Sequence, residues 1–435
     1  MPPAPLQARL GRQRETTNSP HKGKRFVMQD IRPVHHAASF AIPYNFKVRN
    51  DFTKEENVLV AAIVPSFKPG ILTVRLVEDL LRWNESLEIY VVDDCTPNLY
   101  EETFGFFTRI KGLSDRVTVL RTPINKMKAG AINYALAHIG KRGVQPEIII
   151  TLDDDVMIDK YTVQKLVEGV MADPHIGAAC SQCRVLNKNV NILTRLQGLE
   201  YLGFNAVRLA DEGFFFGPLV MHGMLTAFRL QALTDVGGFA ENHLIEDYEV
   251  TARLKGAGWH VRLAPNAYAW TEVPETFSQL WKQRTRWIYG GLTILARVKF
   301  LPALIQDIIG HAMFLATLTL VIISVLFASA GRLSPEFLKT IVFLSIAQVV
   351  ILYVFQLWLM RFYAEKDRTD WALRILLIPE FLYANVLSLV LVGAYIFGFF
   401  NFLTQTIPEL SIVRSLRAAF FKLGYTNAWG TRTTS

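Results

Sequence analysis

VLVAAIVPSFKPGILTVRLVEDLLRWNESLEIYVVDD, residues 58–94, holds a short apolar run, an amphipathic run and a second apolar run that ends on two aspartates. The outer runs are too short for helices and rich in Val and Ile, as buried strands are, whereas ILTVRLVEDLLRW (71–83) places its apolar residues at helical spacing. Strand, helix and strand in that order make a βαβ unit, so the two strands should lie parallel in one sheet. The alternation continues through AGAINYALAHIG (129–140) and PEIIITLDDD (146–155) to about Leu263. The fold expected is α/β with a mostly parallel sheet. In open sheets of this kind ligands bind beyond the carboxyl ends of the strands, and both aspartate clusters lie at such ends.

Composition narrows the alternatives. The chain has 435 residues, 51% hydrophobic and 19% charged, which is too apolar for a disordered or nucleic-acid-tail protein. Its formal net charge is +8, but residues 1–50 hold nine Lys or Arg against Glu15 and Asp30, leaving +1 for the remaining 385. A basic nucleic-acid face on the body is thereby disfavoured. Residues 1–50 lack apolar periodicity and an apolar leader run, so they read as a flexible basic arm with no signal peptide, suited to anionic headgroups. Cys95, Cys180 and Cys183 are too few for a disulfide framework, and the last two read as buried strand residues.

Beyond about residue 300 the composition changes. Uncharged stretches run from Ala312 to Gly331, Thr340 to Met360 and Phe381 to Pro408, each of about the 20 residues needed to cross a bilayer. The third contains Asn385, Gly393 and Gly398 and follows Pro379, so a kink, a re-entrant segment or a tight hairpin is expected there.

Several residue groups suit chemistry. Asp93 and Asp94 in VVDDCT sit at a strand tip, where a nucleotide base or ribose, or else a helix N-terminus, would satisfy them. In LDDDV the alternation of an extended chain puts Asp153 and Asp155 on one side, able to hold one hard cation, with Asp154 turned away; a helix cap is the alternative. Lys128 in KAGAIN, just before a helix start, suits a phosphate, with Gly130 allowing close approach, unless it is merely solvated. Either Glu246 or Asp247 in LIEDYEV could serve as a general base, or both could cap a helix. In WKQRTRWIYGG, Gln283, Arg286 and Trp287 fall at i, i+3 and i+4, a platform for a diphosphate and a sugar ring or an anchor at the headgroups.

Taken in order, VVDDCT, KAGAIN, LDDDV, GMLTAFRLQAL with Gly223, LIEDYEV, TEVPET and QRTRW resemble the motifs of the membrane-bound family 2 glycosyltransferases. That family includes cellulose, poly-N-acetylglucosamine, chitooligosaccharide and hyaluronan synthases. The resemblance covers roughly residues 57–300 and implies a GT-A-like domain followed by C-terminal transmembrane helices. It implies an inverting transfer from a UDP-sugar, UDP-GlcNAc or UDP-glucose, to a growing β-linked polysaccharide; the alternatives are single transfer to a membrane lipid and a non-catalytic scaffold. By the family's motifs, Asp94 or Asp93 would meet the uridine, Lys128 the diphosphate, Asp153 and Asp155 magnesium or manganese, and Asp247 would be the catalytic base. Gln283, Arg286 and Trp287 match Q-x-x-R-W, with Arg286 on the pyrophosphate and Trp287 under the acceptor sugar. Trp429 and Arg432 in NAWGTR resemble the W-G-T-R gating segment that folds over the nucleotide in hyaluronan synthases.

The division expected is an arm (1–50), a catalytic domain (51–275), an interfacial helix region (276–302), a transmembrane region (303–410) and a tail (411–435). Partners expected are the donor, a polysaccharide or lipid acceptor and membrane lipids, without nucleic acid; a homo-oligomer or accessory membrane subunit stays open. The catalytic domain of this plasma or inner membrane protein would face the cytosol. Three simple crossings would then leave the tail outside, so one stretch, the third, is expected not to cross. Ile245 stands where the family often has Thr, and GML where hyaluronan synthases have Gly-Pro-Leu.

Overall fold

The structure is a computed structural model and describes residues 58–97, 101–211, 215–241, 243–298, 301–329, 331, 334–406 and 411–425. The arm and the NAWGTR segment lie outside them. The first part of the chain runs β1 (Val60–Ser66), α1 (Ile71–Trp83), β2 (Glu88–Asp93), α2 (Glu101–Lys111), β3 (Val117–Arg121), α3 (Met127–Ile139), β4 (Ile148–Leu152) and β5 (Met157–Ile158). It continues with α4 (Thr162–Met171), β6 (Ile176–Val185), α5 (Ile192–Ala210), β7 (Leu225–Arg229), α6 (Leu230–Asp235), α7 (Glu246–Gly256) and β8 (His260–Thr271). The C-terminal part comprises α8 (Phe277–Arg297), α9 (Leu301–Ser329), α10 (Pro335–Leu359), α11 (Arg368–Leu376), α12 (Ile378–Thr406) and α13 (Ser411–Lys422).

Among the described residues the strands form one eight-stranded sheet in the order β3-β2-β1-β4-β7-β6-β8-β5. The first four are parallel, as the βαβ pattern requires; β7 runs antiparallel to both β4 and β6, β8 is parallel to β6, and β5 is antiparallel to β8. The chain is thus α/β, with a GT-A-like mixed, mostly parallel sheet. Successive residues of β1 feed opposite faces: Ala62 and Val64 join one core, Ala61 and Ile63 the other. Burial on both faces explains why the strands read as unbroken apolar runs. Ile148, Ile149 and Ile150 of β4 are fully buried, each contributing roughly 1.5–3 kcal/mol. Cys180 and Cys183 are free and buried on β6, and burial pushes the Cys180 thiol up to about 11.

Three helical segments, Pro302–Ala328, Pro335–Phe362 and Ile378–Leu403, are long and apolar enough to cross a membrane. The segment joining the second to the third is held on the sheet domain by ion pairs: Lys188 to Asp370 (2.8 Å), Arg195 to Asp367 (2.7 Å) and Arg184 to Glu365 (2.9 Å). The re-entrant segment or tight hairpin expected in the third apolar stretch is absent, since α12 is one continuous helix. Asn385 satisfies its own amide by donating to the Phe381 carbonyl one turn back, and Gly393 serves packing: a Cβ there would lie 2.1 Å from the Tyr425 hydroxyl. The return is made instead by α13. Phe420 and Phe421 lie against the Phe397 ring, and Tyr425, further on, donates to the Val390 carbonyl, so α13 runs antiparallel to α12. Trp281 of α8 donates to the Leu423 carbonyl (2.8 Å), which brings the described C-terminal end back beside the sheet domain.

Candidate active site

The carboxyl ends of β1, β2 and β3 are level, with Ser66 opposite Asp93 and Asp93 opposite Arg121. Asp93 is buried; one oxygen pairs with Arg121 (2.5 Å) and the other accepts from the Thr96 N–H (2.9 Å). Asp94 accepts from the Thr122 hydroxyl (3.0 Å) and the Lys126 N–H (2.7 Å), so it ties the β3–α3 loop to the end of β2. The two aspartates thus build the floor of the crevice from within, in addition to whatever they offer a ligand.

Past β4, the alternation argument for Asp153 and Asp155 does not apply. The strand ends at Leu152, the Asp153 N–H donates to the Met224 carbonyl, and the triplet lies in a turn rather than an extended segment. Asp154 is nonetheless separated from its neighbours, because its carboxylate accepts from the Ser66 hydroxyl (2.5 Å). Asp155 opens to solvent, yet crowding by surrounding protein first, and then the charges of Asp153 and Asp154, push its carboxyl up to about 7. Among the described residues no three His, Cys, Asp or Glu side chains converge on a metal position. Asp153 and Asp155 supply only hard oxygen donors, the set that suits magnesium or manganese when substrate phosphates and water complete the shell. The residues present fit such an ion.

Lys128 is the hub. Its ammonium lies 2.6 Å from Asp153, 3.3 Å from Glu246 and 2.7 Å from the Gly223 carbonyl, and so joins α3, the turn after β4, the segment before β7 and α7. Burial alone would lower its pKa; the facing carboxylates of Asp153, Glu246 and Asp247 outweigh that and hold it above the ordinary lysine value. Lys128 lies within the first turn of α3 rather than ahead of it. Gly130 is also not a point of ligand approach: a Cβ there would meet Lys126 Cβ at 2.4 Å, so the glycine makes room for a neighbouring side chain.

Asp247 is held by two backbone donors, the Gly223 N–H (2.7 Å) and the Tyr248 N–H (2.8 Å). Burial, followed by the charge of Glu246, pushes it up to about 6, against the pull of Lys128 and those donors. Glu246, Asp247 and Glu249 fill the first turn of α7, where the helix dipole favours negative charge. Gly223 has to be small, because a Cβ would lie 2.7 Å from the Lys128 ammonium and 3.2 Å from the Asp247 carboxylate. Lys128, Gly223, Glu246 and Asp247 line a small cleft together with His222 and Phe239.

The family described as "Glycosyl transferase family group 2" matches residues 148–404, and "Glycosyl transferase family 2" matches residues 62–233. The chain belongs to glycosyl transferase family group 2. The chain is 28% identical over 245 residues to "Probable glycosyltransferase YdaM" of Bacillus subtilis (strain 168), covering 56% of the chain and 57% of that protein. It is 29% identical over 213 residues to "Poly-beta-1,6-N-acetyl-D-glucosamine synthase" of Staphylococcus aureus (strain COL), covering 49% of each. The chain thus spans about half the length of these curated relatives. Among solved structures, mannosyltransferase PcManGT from Pyrobaculum calidifontis, in complex with GDP-Man and Mn2+, aligns over 71% of the chain and 86% of its own with a TM-score of 0.49 and 19% identity.

The QRTRW segment lies on α8. Arg284, unassigned by the sequence pattern, is buried there, as is Thr285; it pairs with Glu200 (2.5 Å), donates to the Gln283 side chain (2.6 Å) and lies over the Trp287 ring at 4.2 Å. Trp287 packs against the sheet core that contains Met224. Arg286 is exposed and pairs with no carboxylate among the described residues. Among the described residues no hydrogen bond or ion pair joins Gln283, Arg286 or Trp287 to Lys128, Glu246 or Asp247; Gly290 of the same helix seats Ile245 ahead of Asp247. Glycine was the available signal for both this joint and Gly223. Trp429 and Arg432 lie outside the described residues.

Proposed function

We propose that the chain transfers sugar from a UDP-sugar, UDP-GlcNAc or UDP-glucose, to a growing β-linked polysaccharide, with inversion at the donor carbon. The observation that carries this reading is the position of Lys128, one ammonium that faces Asp153 on one side and Glu246 on the other, with Asp247 across Gly223. Phosphate-binding and proton-accepting groups then flank one point, as in-line displacement requires. Asp247, raised toward the working pH, takes the acceptor hydroxyl proton. The acceptor oxygen forms its bond to the sugar carbon from the face opposite UDP, and the carbon–oxygen bond to the diphosphate breaks with its electron pair leaving on UDP. Lys128 and Arg286 face that developing charge, and Asp93 and Asp94 frame the uridine. A divalent cation, magnesium or manganese, held by Asp153 and Asp155, would supply charge neutralisation of the diphosphate. Trp287 underlies the acceptor, and Gln283 is fixed beside it.

The apolar helices set this chemistry at a membrane, with the sheet domain and the returning C-terminal end on the cytosolic side. The +7 arm associates with anionic headgroups. Full-length protein in detergent, given labelled UDP-GlcNAc or UDP-glucose with magnesium or manganese, should yield long β-linked product. Extractable single-sugar lipid would replace the polymer reading with lipid glycosylation, and no transfer from any UDP-sugar would overturn the donor assignment.

A further inference from the structure

Asp307 and His311 are ionisable residues one turn apart in the first apolar helix, α9, a position that is costly without partners. Both Asp307 oxygens are engaged: one accepts from the Tyr248 hydroxyl (2.8 Å), and the other lies 3.3 Å from His311 Nε2. His311 Nδ1 lies 2.6 Å from the Tyr395 hydroxyl on α12. Neutral imidazole with its proton on Nε2 satisfies every atom: Tyr395 donates to Nδ1, Nε2–H donates to Asp307, and Tyr248 donates to Asp307. The near end of this chain is Tyr248, whose N–H donates to Asp247. Its ring is buried against Ala252, Ile294, Ala303 and Leu304, so the hydroxyl has a single direction in which to reach.

We propose that Tyr248, Asp307, His311 and Tyr395 are positioning residues that fasten the first turn of α7, and with it Asp247, to the two apolar helices α9 and α12. The membrane helices then set the orientation of the carboxylate as well as anchoring the chain. This rests on the reading of Asp247 as the base. A carboxylate misplaced by about 1 Å loses on the order of a hundredfold in rate. A loosened tie therefore lowers kcat and leaves donor binding alone.

The experiment uses the full-length chain in detergent with UDP-GlcNAc or UDP-glucose, whichever donor turns over, and compares Tyr248→Phe, Asp307→Leu, their double variant and Asp307→Asn. The tie predicts a fall of about tenfold or more in kcat for both single variants, donor KM within about twofold, and a double variant no worse than the worse single. Asp307→Asn keeps an oxygen for Tyr248 and should restore most of the rate. Unchanged kcat per folded molecule, additive losses in the double variant, or no recovery in Asp307→Asn would overturn it. If Asp307→Leu does not fold, Tyr248→Phe, which removes a single oxygen, carries the same kcat and KM readout. Asp247→Asn, with the tie intact, tests the base separately: turnover there refutes the base, whereas inactivity there with unaffected Tyr248→Phe refutes only the tie.

Discussion

Gly290 of α8 and Ile245 are fitted so closely that a Cβ on residue 290 would lie 2.5 Å from Ile245 Cγ1 and 3.2 Å from Leu244 Cβ. This contact joins the two segments that the sequence pattern places in the reaction, because Ile245 caps the helix that carries Asp247 and Gly290 lies one turn beyond Gln283–Trp287. The packing of a methyl-rich side chain into a glycine notch therefore sets the distance between Asp247 and the Gln283–Trp287 segment, the base and acceptor platform of the proposed reaction.

Gly290→Ala should overpack this joint, costing about 1–3 kcal/mol and lowering kcat more than it raises donor KM. Adding Ile245→Ala opens the notch and should recover much of both. Unfolding curves and steady-state rates of the two single variants and the pair would check this; strictly additive losses would separate the residues.

Asp247→Asn should lower kcat by about 10²- to 10⁴-fold with nucleotide binding retained. The wild-type rate should fall as pH drops through about 6, where burial and Glu246 place the protonation of Asp247. A raised carboxyl is protonated below its pKa and is then no longer basic enough to take the acceptor proton, so the loss lies on the acid side. Glu246→Gln removes a charge that raises Asp247 and should move this limb to lower pH; a limb that moves upward or stays fixed would contradict the assignment.

Gly223→Ala should leave the fold nearly intact, because the nearest atom to the new methyl is the far end of a flexible side chain, the Lys128 ammonium at 2.7 Å, rather than backbone. The ammonium must yield, and with it the link between Asp153 and Glu246. We expect kcat/KM to fall by on the order of tenfold or more while thermal stability changes little; a wild-type kcat/KM would show that the ammonium position is not limiting.

The parallel half of the sheet was legible because strands buried on both faces, such as Ile148–Leu152, must be apolar without interruption. Antiparallel β7 was not, since Leu225–Arg229 looks like any buried strand and its direction is set by long-range pairing with β4 and β6. The residue types in LDDDV pointed to a cation, but the alternation invoked for them failed where β4 ends at Leu152. The glycines of α12 suggested a break because glycine weakens an isolated helix, whereas Gly393 receives Tyr425. The Tyr248–Asp307 contact depends on how α7 meets α9, which no local pattern encodes.

Asp370 is fully buried and takes Lys188 (2.8 Å) on one oxygen and Arg195 (2.9 Å) on the other, at the joint between α11 and the sheet domain. Asp370→Ala takes the nearer carboxylate from the buried Lys188 ammonium and leaves it Asp367 at 3.7 Å and the Glu365 carbonyl. Removing one partner of a buried pair costs up to about 3–5 kcal/mol, because the remaining charge keeps its desolvation penalty, and Asp367 offsets part of that. Replacing both, Lys188→Met with Asp370→Leu, removes that penalty and should cost less than Asp370→Ala alone. Chemical denaturation of the detergent-solubilised chain distinguishes the cases: a double variant less stable than Asp370→Ala would mean that the joint depends on the ion pair itself rather than on avoiding an unpaired charge.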